Sequence, residues 1–401
     1  MKLYLIKASA EGYFKAYKNE RGGPPQNIFS AAAKLHPEHD VEMTDETAGM
    51  TVNFKTDADI VIIFMATPDA IRGYNLAKKF KQAGKTVLLG GLHVTFMHKE
   101  AIEYCDAVIV GESEGVLDDI IQDFRYRRLK AVYKSENRTD LCTLQPFPAH
   151  SISPDNYRGF WTILVSRGCS HHCEFCLVRP FMGKQRYRPI KDVVDEIKYC
   201  GAKWVELHAD NLTKDKEYCL ELFKALKPLN VYWATTTSIT FAEDEDFLKA
   251  AAESGLKYVL VGLETPSESA LKATGKSFLT RERVKKCIQA LHRWKITVDS
   301  CVLFGFDEHD TSIFKETLSF VNDVKVDICQ PAIITPFPGS RLYTRLEEEA
   351  RILTRDWAKY DCSHAVFQPA KMTPEQLENG ALWFYKRHNL SFRSIIKSIM
   401  S

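Results

Sequence analysis

The chain has 401 residues, too many for one ordinary domain, so two or three units are expected. Hydrophobic residues make up 45% and charged residues 26%, which excludes a disordered chain, a collagen-like fibre and a coiled-coil rod. Lys and Arg number 54 against 52 Asp and Glu, a formal charge of +2, so no global electrostatic footprint for nucleic acid exists and no nucleic-acid partner is expected.

The opening MKLYLIKASAEG sets two lysines around a short apolar run and reads as a β-strand rather than a secretory signal. The longest apolar run, Ile60 to Thr67, is the length of a buried strand and far short of the ~18 residues a spanning helix needs. Eleven cysteines without a signal point to a reducing compartment, where thiols serve as metal ligands, catalysts or core filler, and a cytoplasmic location is expected.

From residue 1 to 133 short apolar runs alternate with amphipathic stretches. Leu3–Lys7, Val41–Met43, Asp59–Met65, Lys85–Leu89 and Ala107–Val110 predict strands, and Gln26–Leu35 and Asp69–Gln82 predict helices. Such alternation implies an α/β, doubly wound parallel-sheet (Rossmann-like) domain whose ligand sits outside the carboxyl ends of the strands. Those ends carry Thr67, then Gly90, Gly91 and His93, then Gly111-Glu112. Glycine there admits a bulky ligand close to the backbone, and paired glycines also simply end strands.

Residues 134–160 are polar, proline-containing and aperiodic, and read as a linker. A second series follows over 161–342. Its predicted strands are Trp161–Val165, Trp204–Leu207, Val231–Thr236, Tyr258–Gly262, Thr297–Phe304 and Asp327–Ile334. The helices between them are Pro189–Tyr199, Lys216–Leu226, Glu243–Ser254, Arg281–Trp294 and Ser312–Val321. Six β/α repeats are too few to close an eight-stranded barrel, so a partial (β/α)6 barrel is expected. Residues 343–401 predict a helical C-terminal region, with Thr373 capping Pro374–His388.

The strongest local signal is Cys169-Ser-His-His-Cys173-Glu-Phe-Cys176, a C-x3-C-x2-C spacing directly after the first strand of the second series. Three thiolates in eight residues suit wrapping around an iron–sulfur cubane with one iron left open to a substrate. The competing reading is a structural zinc site completed by His171 or His172, although such sites usually draw four ligands from two separated pairs.

SRGCSHHCEFC resembles the signature loop of radical S-adenosylmethionine (SAM) enzymes. The resemblance extends through His208-Ala209-Asp210-Asn211, Gly262-Leu263-Glu264-Thr265, Phe304-Gly305-Phe306-Asp307, Thr335-Pro336-Phe337-Pro338-Gly339 and Asp356-Trp357. The first domain, with LLGGLHVT and AVIVGESE, resembles the cobalamin-binding domain that precedes the radical domain in one large subgroup. The resemblance implies a 4Fe–4S cluster on Cys169, Cys173 and Cys176, with SAM on the open iron cleaved to a 5′-deoxyadenosyl radical. It implies Phe175 against the adenine and Glu264 in contact with SAM. Asp210 and Asn211 match a polar strand-end segment facing the active site, although the family often has two acids where Ala209-Asp210 stands here. Thr236, Ser238 and Gln330 are read as strand-end contacts to SAM or substrate, or as groups that only satisfy the backbone.

For cobalamin, the Asp-x-His-x-x-Gly motif that supplies a lower histidine is absent, and none of His36, His39, His93 or His98 stands in that arrangement. A base-off cobalamin is expected, with Thr67, Gly90, Gly91 and His93 around the corrin; the competing reading keeps this domain as a lid or substrate platform. The implied activity is cobalamin-dependent methylation of an unactivated carbon in a small-molecule or lipid-like substrate, with an electron donor such as flavodoxin or ferredoxin. Cyclisation, rearrangement or carbon–carbon coupling by the same radical is the alternative, and a non-catalytic metal- or cobalamin-binding module the alternative of another class. Phe384 to Met400 is amphipathic and basic, which predicts packing on the barrel, with peripheral membrane contact as the minority reading.

Overall fold

The computed structural model describes residues 1–10, 25–36, 38–146, 157 and 161–389. Of the expected linker, residues 147–156 and 158–160 lie outside the described residues, as do residues 390–401 of the basic C-terminal stretch. The chain forms two compact units. The first comprises Met1–Gly168, Leu177–Ala202 and Asp356–Asp361; the second comprises Cys169–Cys176, Lys203–Arg355 and the chain from Cys362.

The first unit is built on β1 (Lys2–Lys7), β2 (Asp40–Asp45), β3 (Ile60–Phe64), β4 (Thr86–Gly90), β5 (Ala107–Val110) and β6 (Val132–Lys134). They form one parallel sheet in the order β2-β1-β3-β4-β5-β6. All five residues of β3 are buried, as a strand covered on both faces requires. The helix Ala70–Gln82 buries Ala70, Gly73, Tyr74, Ala77 and Phe80 at helical spacing and leaves its lysines outside. The strand order reverses between β1 and β3, so the topological switch point lies at the carboxyl ends of those two strands. The edge strand β6 was not among the five predicted; only Tyr133 of its three residues is buried, too little for a periodic signal.

Trp161–Leu164 (β7) also belongs to this unit, followed by β8 (Ser166–Arg167), which pairs antiparallel with β9 (Arg186–Tyr187). The second unit carries β10 (Trp204–His208), β11 (Tyr232–Thr237), β12 (Leu256–Glu264), β13 (Thr297–Phe304) and β14 (Ile328–Ile333). Neighbours in the chain are parallel neighbours in the sheet, which is the wall of an open, partial barrel. Its helices start on side-chain caps: Asp215 accepts from the Tyr218 N–H, Asp244 from Phe247, Thr280 from Arg283 and Ser340 from Tyr343. Each such cap is worth ~1 kcal/mol. Thr373 caps Pro374–His388 as expected, with Gln376 closing the reciprocal bond. Phe384 of that helix is fully buried, so this part of the amphipathic stretch packs inward.

Candidate active site

The cysteine segment begins at Gly168, whose φ of +91° and close neighbours exclude a side chain. A Cβ there would lie 2.4 Å from the Lys184 carbonyl oxygen. The segment then turns on itself: the Cys176 N–H donates to the Cys173 carbonyl at 3.2 Å, and the His171 N–H donates to Cys169 Sγ at 3.5 Å. Cys169, Cys173 and Cys176 are all half-buried and outside any disulfide. Burial raises the Cys173 thiol, with the Lys276 ammonium opposing and Glu264 and Cys169 adding to the rise. Among the described residues no three His, Cys, Asp or Glu side chains converge to hold a single ion. A cubane asks for no such convergence, because each thiolate takes a different iron corner.

The helix Arg341–Glu348 and the turn after β13 hold this segment from outside. Arg345 Nε donates to Glu174 Oε1 at 2.7 Å, and its Nη1 donates to Asp307 Oδ2 at 2.7 Å. Arg351 takes the other Asp307 oxygen at 2.6 Å. The Leu342 N–H donates to the Glu174 carbonyl at 3.0 Å, and Arg341 reaches the His172 carbonyl. Phe175 meets Phe306 edge to face at 6.2 Å between ring centres. Phe306 and Asp307 belong to the matched stretch Phe304–Asp307, so the structure supplies a reason for those residues.

At the end of β12 the register with β13 shifts between Gly262 and Glu264, and Glu264 takes a φ of +61°. This turns the Glu264 carboxylate, 5% exposed, onto the Lys276 ammonium. A Cβ on Gly262 would stand 2.4 Å from Glu264 Oε1, so the glycine makes room for the pair. Burial disfavours the charged Lys276, and Glu264, Cys173 and Cys176 more than offset it, so its pKa ends above the ordinary value. Thr265, next in the chain, shares a 2.9 Å hydrogen bond with His309 Nε2. Sequence reasoning missed Lys276, Arg345 and His309. The signal for Lys276 was a lysine following a Gly at the foot of a strand-end motif.

Asn211 is buried at the end of β10, and its Oδ1 accepts the Ser238 N–H at 3.1 Å, tying two predicted residues together. Asp210 beside it and Thr236 near the end of β11 are half-buried. Gln330 sits elsewhere than expected. It is the third residue of β14, opposite Cys301 in mid-strand, and its amide is committed to the buried Asp299. A cavity of about 770 Å³ opens at the ends of β10 and β11, lined in part by His171, Asn211 and Ser238.

In the first unit Thr67 is buried just after β3. Gly91 has a φ of +98°, and a Cβ there would lie 2.7 Å from the Met65 carbonyl oxygen; Gly90 packs between Phe64 and Ile109. The Met65 backbone thus accounts for Gly91, while a Cβ on Gly90 would meet only ordinary van der Waals neighbours. His93, 1% exposed, is turned into a buried polar group rather than toward an open edge: its Nε2 meets the Tyr74 hydroxyl at 3.0 Å. Glu100, which accepts from the Trp357 indole at 2.8 Å, lies 3.9 Å from the same nitrogen. That contact gives Trp357 of the matched Asp356-Trp357 pair its place. Glu112 and Glu114 of the GESE stretch are buried against Arg186 and Arg167.

Residues 163–321 match the family described as the Radical SAM superfamily. Bacteriochlorophyllide d C-12(1)-methyltransferase of Chlorobaculum tepidum is 30% identical over 365 residues, covering 88% of this chain and 80% of the relative. The chain belongs to the radical SAM superfamily. It is an enzyme of that class, in the subgroup with a doubly wound domain ahead of the radical domain. Anaerobic magnesium-protoporphyrin IX monomethyl ester cyclase of Cereibacter sphaeroides is 25% identical over 345 residues, 75% of this chain and 54% of that one. The same fold occurs in the solved structure of TsrM from Kitasatospora setae, a radical SAM methyltransferase with cobalamin and a 4Fe–4S cluster bound. That match has a TM-score of 0.68 at 14% identity and covers 87% of this chain and 75% of that one. For a radical SAM enzyme the implied groups are a 4Fe–4S cluster and SAM, and three cysteines outside any disulfide on one tightly turned, externally braced segment fit the cluster.

Proposed function

We propose that the chain is a cobalamin-dependent radical SAM methyltransferase that methylates an unactivated carbon of a small-molecule or lipid-like substrate. The observation that carries this reading is the three-cysteine segment joined, in one chain, to a doubly wound domain with strand order β2-β1-β3-β4-β5-β6. The likeness over most of the chain to methyltransferases of the same class supports it. When bound, the cluster and SAM supply a reducible radical source and cobalamin a methyl carrier.

In this reading Cys169, Cys173 and Cys176 hold the cluster, and Gly168 lets the chain enter that turn. Phe175, braced by Phe306, presents its ring to the adenine. Glu264, Asp210, Asn211, Thr236 and Ser238 hold SAM or substrate at the strand ends, with Lys276 fixing the Glu264 carboxylate. Gln330, committed to Asp299, supports the barrel wall. Residues 1–133 form the cobalamin domain, with Thr67 and the Gly90-Gly91 turn beneath the corrin, and 161–342 the radical domain. The electron comes from a flavodoxin- or ferredoxin-like donor in the cytoplasm. Among the described residues no helix is long and apolar enough to cross a membrane.

Anaerobic reconstitution tests the proposal. The expected protein holds about four irons, as one cubane requires, and one cobalamin, and turnover yields S-adenosylhomocysteine together with 5′-deoxyadenosine. Iron without cobalamin excludes methylation by this route. The magnesium-protoporphyrin cyclase relative favours a second reading, cyclisation, which yields 5′-deoxyadenosine and no S-adenosylhomocysteine.

A further inference from the structure

We infer that the amino-terminal edge of the second unit's sheet, where β10 to β14 begin, is a docking face for an anionic phospholipid surface. Neither the face nor its test depends on the methyltransferase reading. The strands are parallel, with Trp204 opposite Tyr232, Tyr258 opposite Thr297 and Asp299 opposite Ile328, so their first residues share one end of the sheet. Four strand spacings make that end about 19 Å wide.

Apolar side chains are exposed there. Trp204 begins β10, Tyr232 begins β11 and Ile328 begins β14, at 41%, 36% and 41% exposure. Among the described residues the second unit exposes five large hydrophobic side chains, and three of them stand at these strand starts. Single scattered ones would need no explanation, but Trp204 and Tyr232 are neighbours with ring centres 5.1 Å apart.

Cations surround this pair. Lys203 and Lys257 hold their ammonium groups 5.0 and 5.5 Å from the Tyr232 ring centre. Lys295, before β13, and Lys325, before β14, are exposed. Both take left-handed backbone angles, φ of +54° and +64°, which asparagine adopts with less strain, as Asn230 does before β11. The helix Pro374–His388 brings Lys386 and Arg387 to the same end, because Asn389 donates its side-chain amide to the Cys329 carbonyl of β14 at 2.7 Å. None of these six cations is in an ion pair among the described residues. The acids near them are already paired: Glu253 with Lys227, Asp327 with His292, and Asp323 with Arg281 and Lys285. In a chain of formal charge +2, positive charge is therefore collected on one face.

Helix carboxyl ends by themselves favour lysine, but they give no reason to expose an adjoining tryptophan and tyrosine. A headgroup layer gives one. Indole and phenol rings settle at that level with the apolar body inward and the polar tip in water, and lysines beside them meet mobile anionic headgroups as flexible point charges. Five lysines to one arginine is the wrong ratio for the fixed phosphates of a nucleic acid, which favour the planar arginine fork. Docking by this edge leaves the carboxyl end of the sheet, where Asp307 and Arg345 brace the cysteine segment, clear of the surface.

Vesicle sedimentation with the reconstituted full-length protein tests the proposal. The vesicles are phosphatidylcholine, either alone or with about a quarter phosphatidylglycerol. Wild type is expected to bind the anionic vesicles, to ignore the neutral ones and to be released by high salt. Replacing Lys203, Lys257, Lys295 and Lys325 together by Gln should weaken binding about a hundredfold or more, at several-fold per lysine. The same four changed to Arg should retain it, with melting temperature as the folding control for both. Trp204→Ser should weaken binding several-fold and leave its salt dependence in place. Unchanged binding of the quadruple Gln variant overturns the proposal and moves the contact to Arg393 and Lys397, beyond the described residues. Failure of wild type to prefer anionic vesicles also overturns it. Tighter binding to a mixed-sequence RNA oligonucleotide, lost in the quadruple Gln variant, overturns it too, by assigning the face to nucleic acid.

Discussion

Arg345 joins Glu174, which lies between the second and third cysteines of the signature segment, to Asp307 at the foot of β13, at 2.7 Å on each side. The bridge spans 171 residues of chain, so one guanidinium ties the segment to the barrel wall. Arg345 and its partners are about one-third exposed, so the ion pairs alone are worth only ~1 kcal/mol. Their larger effect is on the order of the segment. Arg345→Ala is expected to leave the melting temperature within a few degrees of wild type while weakening cluster retention roughly tenfold or more, as loss of an outer partner does at metal sites. Iron content and the charge-transfer absorbance after desalting measure this, and Arg345→Lys should restore part of it. Full retention in the alanine variant would show that the bridge is ornamental to the segment.

The Glu264–Lys276 pair behaves differently because it is enclosed, with side-chain exposures of 6% and 15%. Removing one partner strands the other charge in a poorly solvated place, at a cost of about 3–5 kcal/mol. Glu264→Gln and Lys276→Met should each lower the denaturation midpoint strongly. The double variant Glu264→Gln, Lys276→Met should recover most of the stability, since an apolar replacement of a buried pair is often neutral. SAM affinity should stay lost in the double variant, which separates the structural from the binding role. Gly262→Ala, whose Cβ would fall 2.4 Å from Glu264 Oε1, should reproduce the loss of affinity with both charged residues still present.

Much of this arrangement was legible in the residues themselves, and the part that was not has a physical cause. Ile60–Phe64 has one apolar residue after another and no polar face, which only a strand buried on both sides tolerates, so its limits were readable to within a residue. The three cysteines announce their chemistry by spacing. Lys276 and Arg345 announce nothing, because a lysine just after a helix or an arginine on one normally faces water and acquires meaning only from partners 12 and 171 residues away. Gln330 differs for the converse reason: it reads as a strand-end residue, but it stands in mid-strand, where the buried Asp299 of the neighbouring strand takes its amide. Of the glycine pair at the end of β4, read both as room for a ligand and as a plain strand end, Gly91 is required by the Met65 backbone beside it.

His309 makes stability depend on pH. Its ring is 1% exposed, and burial lowers its pKa from 6.5 to about 4, so the folded protein holds it neutral while its Nε2 meets Thr265. Between those two values the unfolded chain binds a proton that the folded chain does not, so folding stability rises with pH across that window and is lost on acidification. The contribution is about 3 kcal/mol at most, present in full above pH ~6.5 and gone below pH ~4. Urea unfolding at pH 7 and pH 5 measures the slope. His309→Gln retains a hydrogen-bonding side chain without a titrating ring, and is expected to flatten the dependence; an unchanged slope would assign it to other groups.

Arg167, two residues before Cys169, is 5% exposed and donates to Glu114 at 2.7 Å and to Ser30 at 3.0 Å. Glu112, 3% exposed, lies 3.6 Å from the same guanidinium and takes Arg186 at 2.6 Å. Burial would raise the Glu114 carboxyl, and Arg167 beside it more than reverses this, so it stays charged below the usual carboxylate range. Each arginine of the network has a carboxylate partner, and deleting one acid leaves an arginine charge without its partner in the interior. Glu114→Ala is therefore expected to cost about 3–5 kcal/mol, read as a fall in the denaturation midpoint of the full chain. Glu114→Gln, which keeps the shape and one acceptor, should cost less but still measurably. Because Arg167 stands on the strand that leads into the cysteine segment, both variants should also slow cluster assembly, measured as the rate at which absorbance grows during anaerobic reconstitution. A destabilised variant that assembles its cluster at the wild-type rate would confine this network to holding the first unit together.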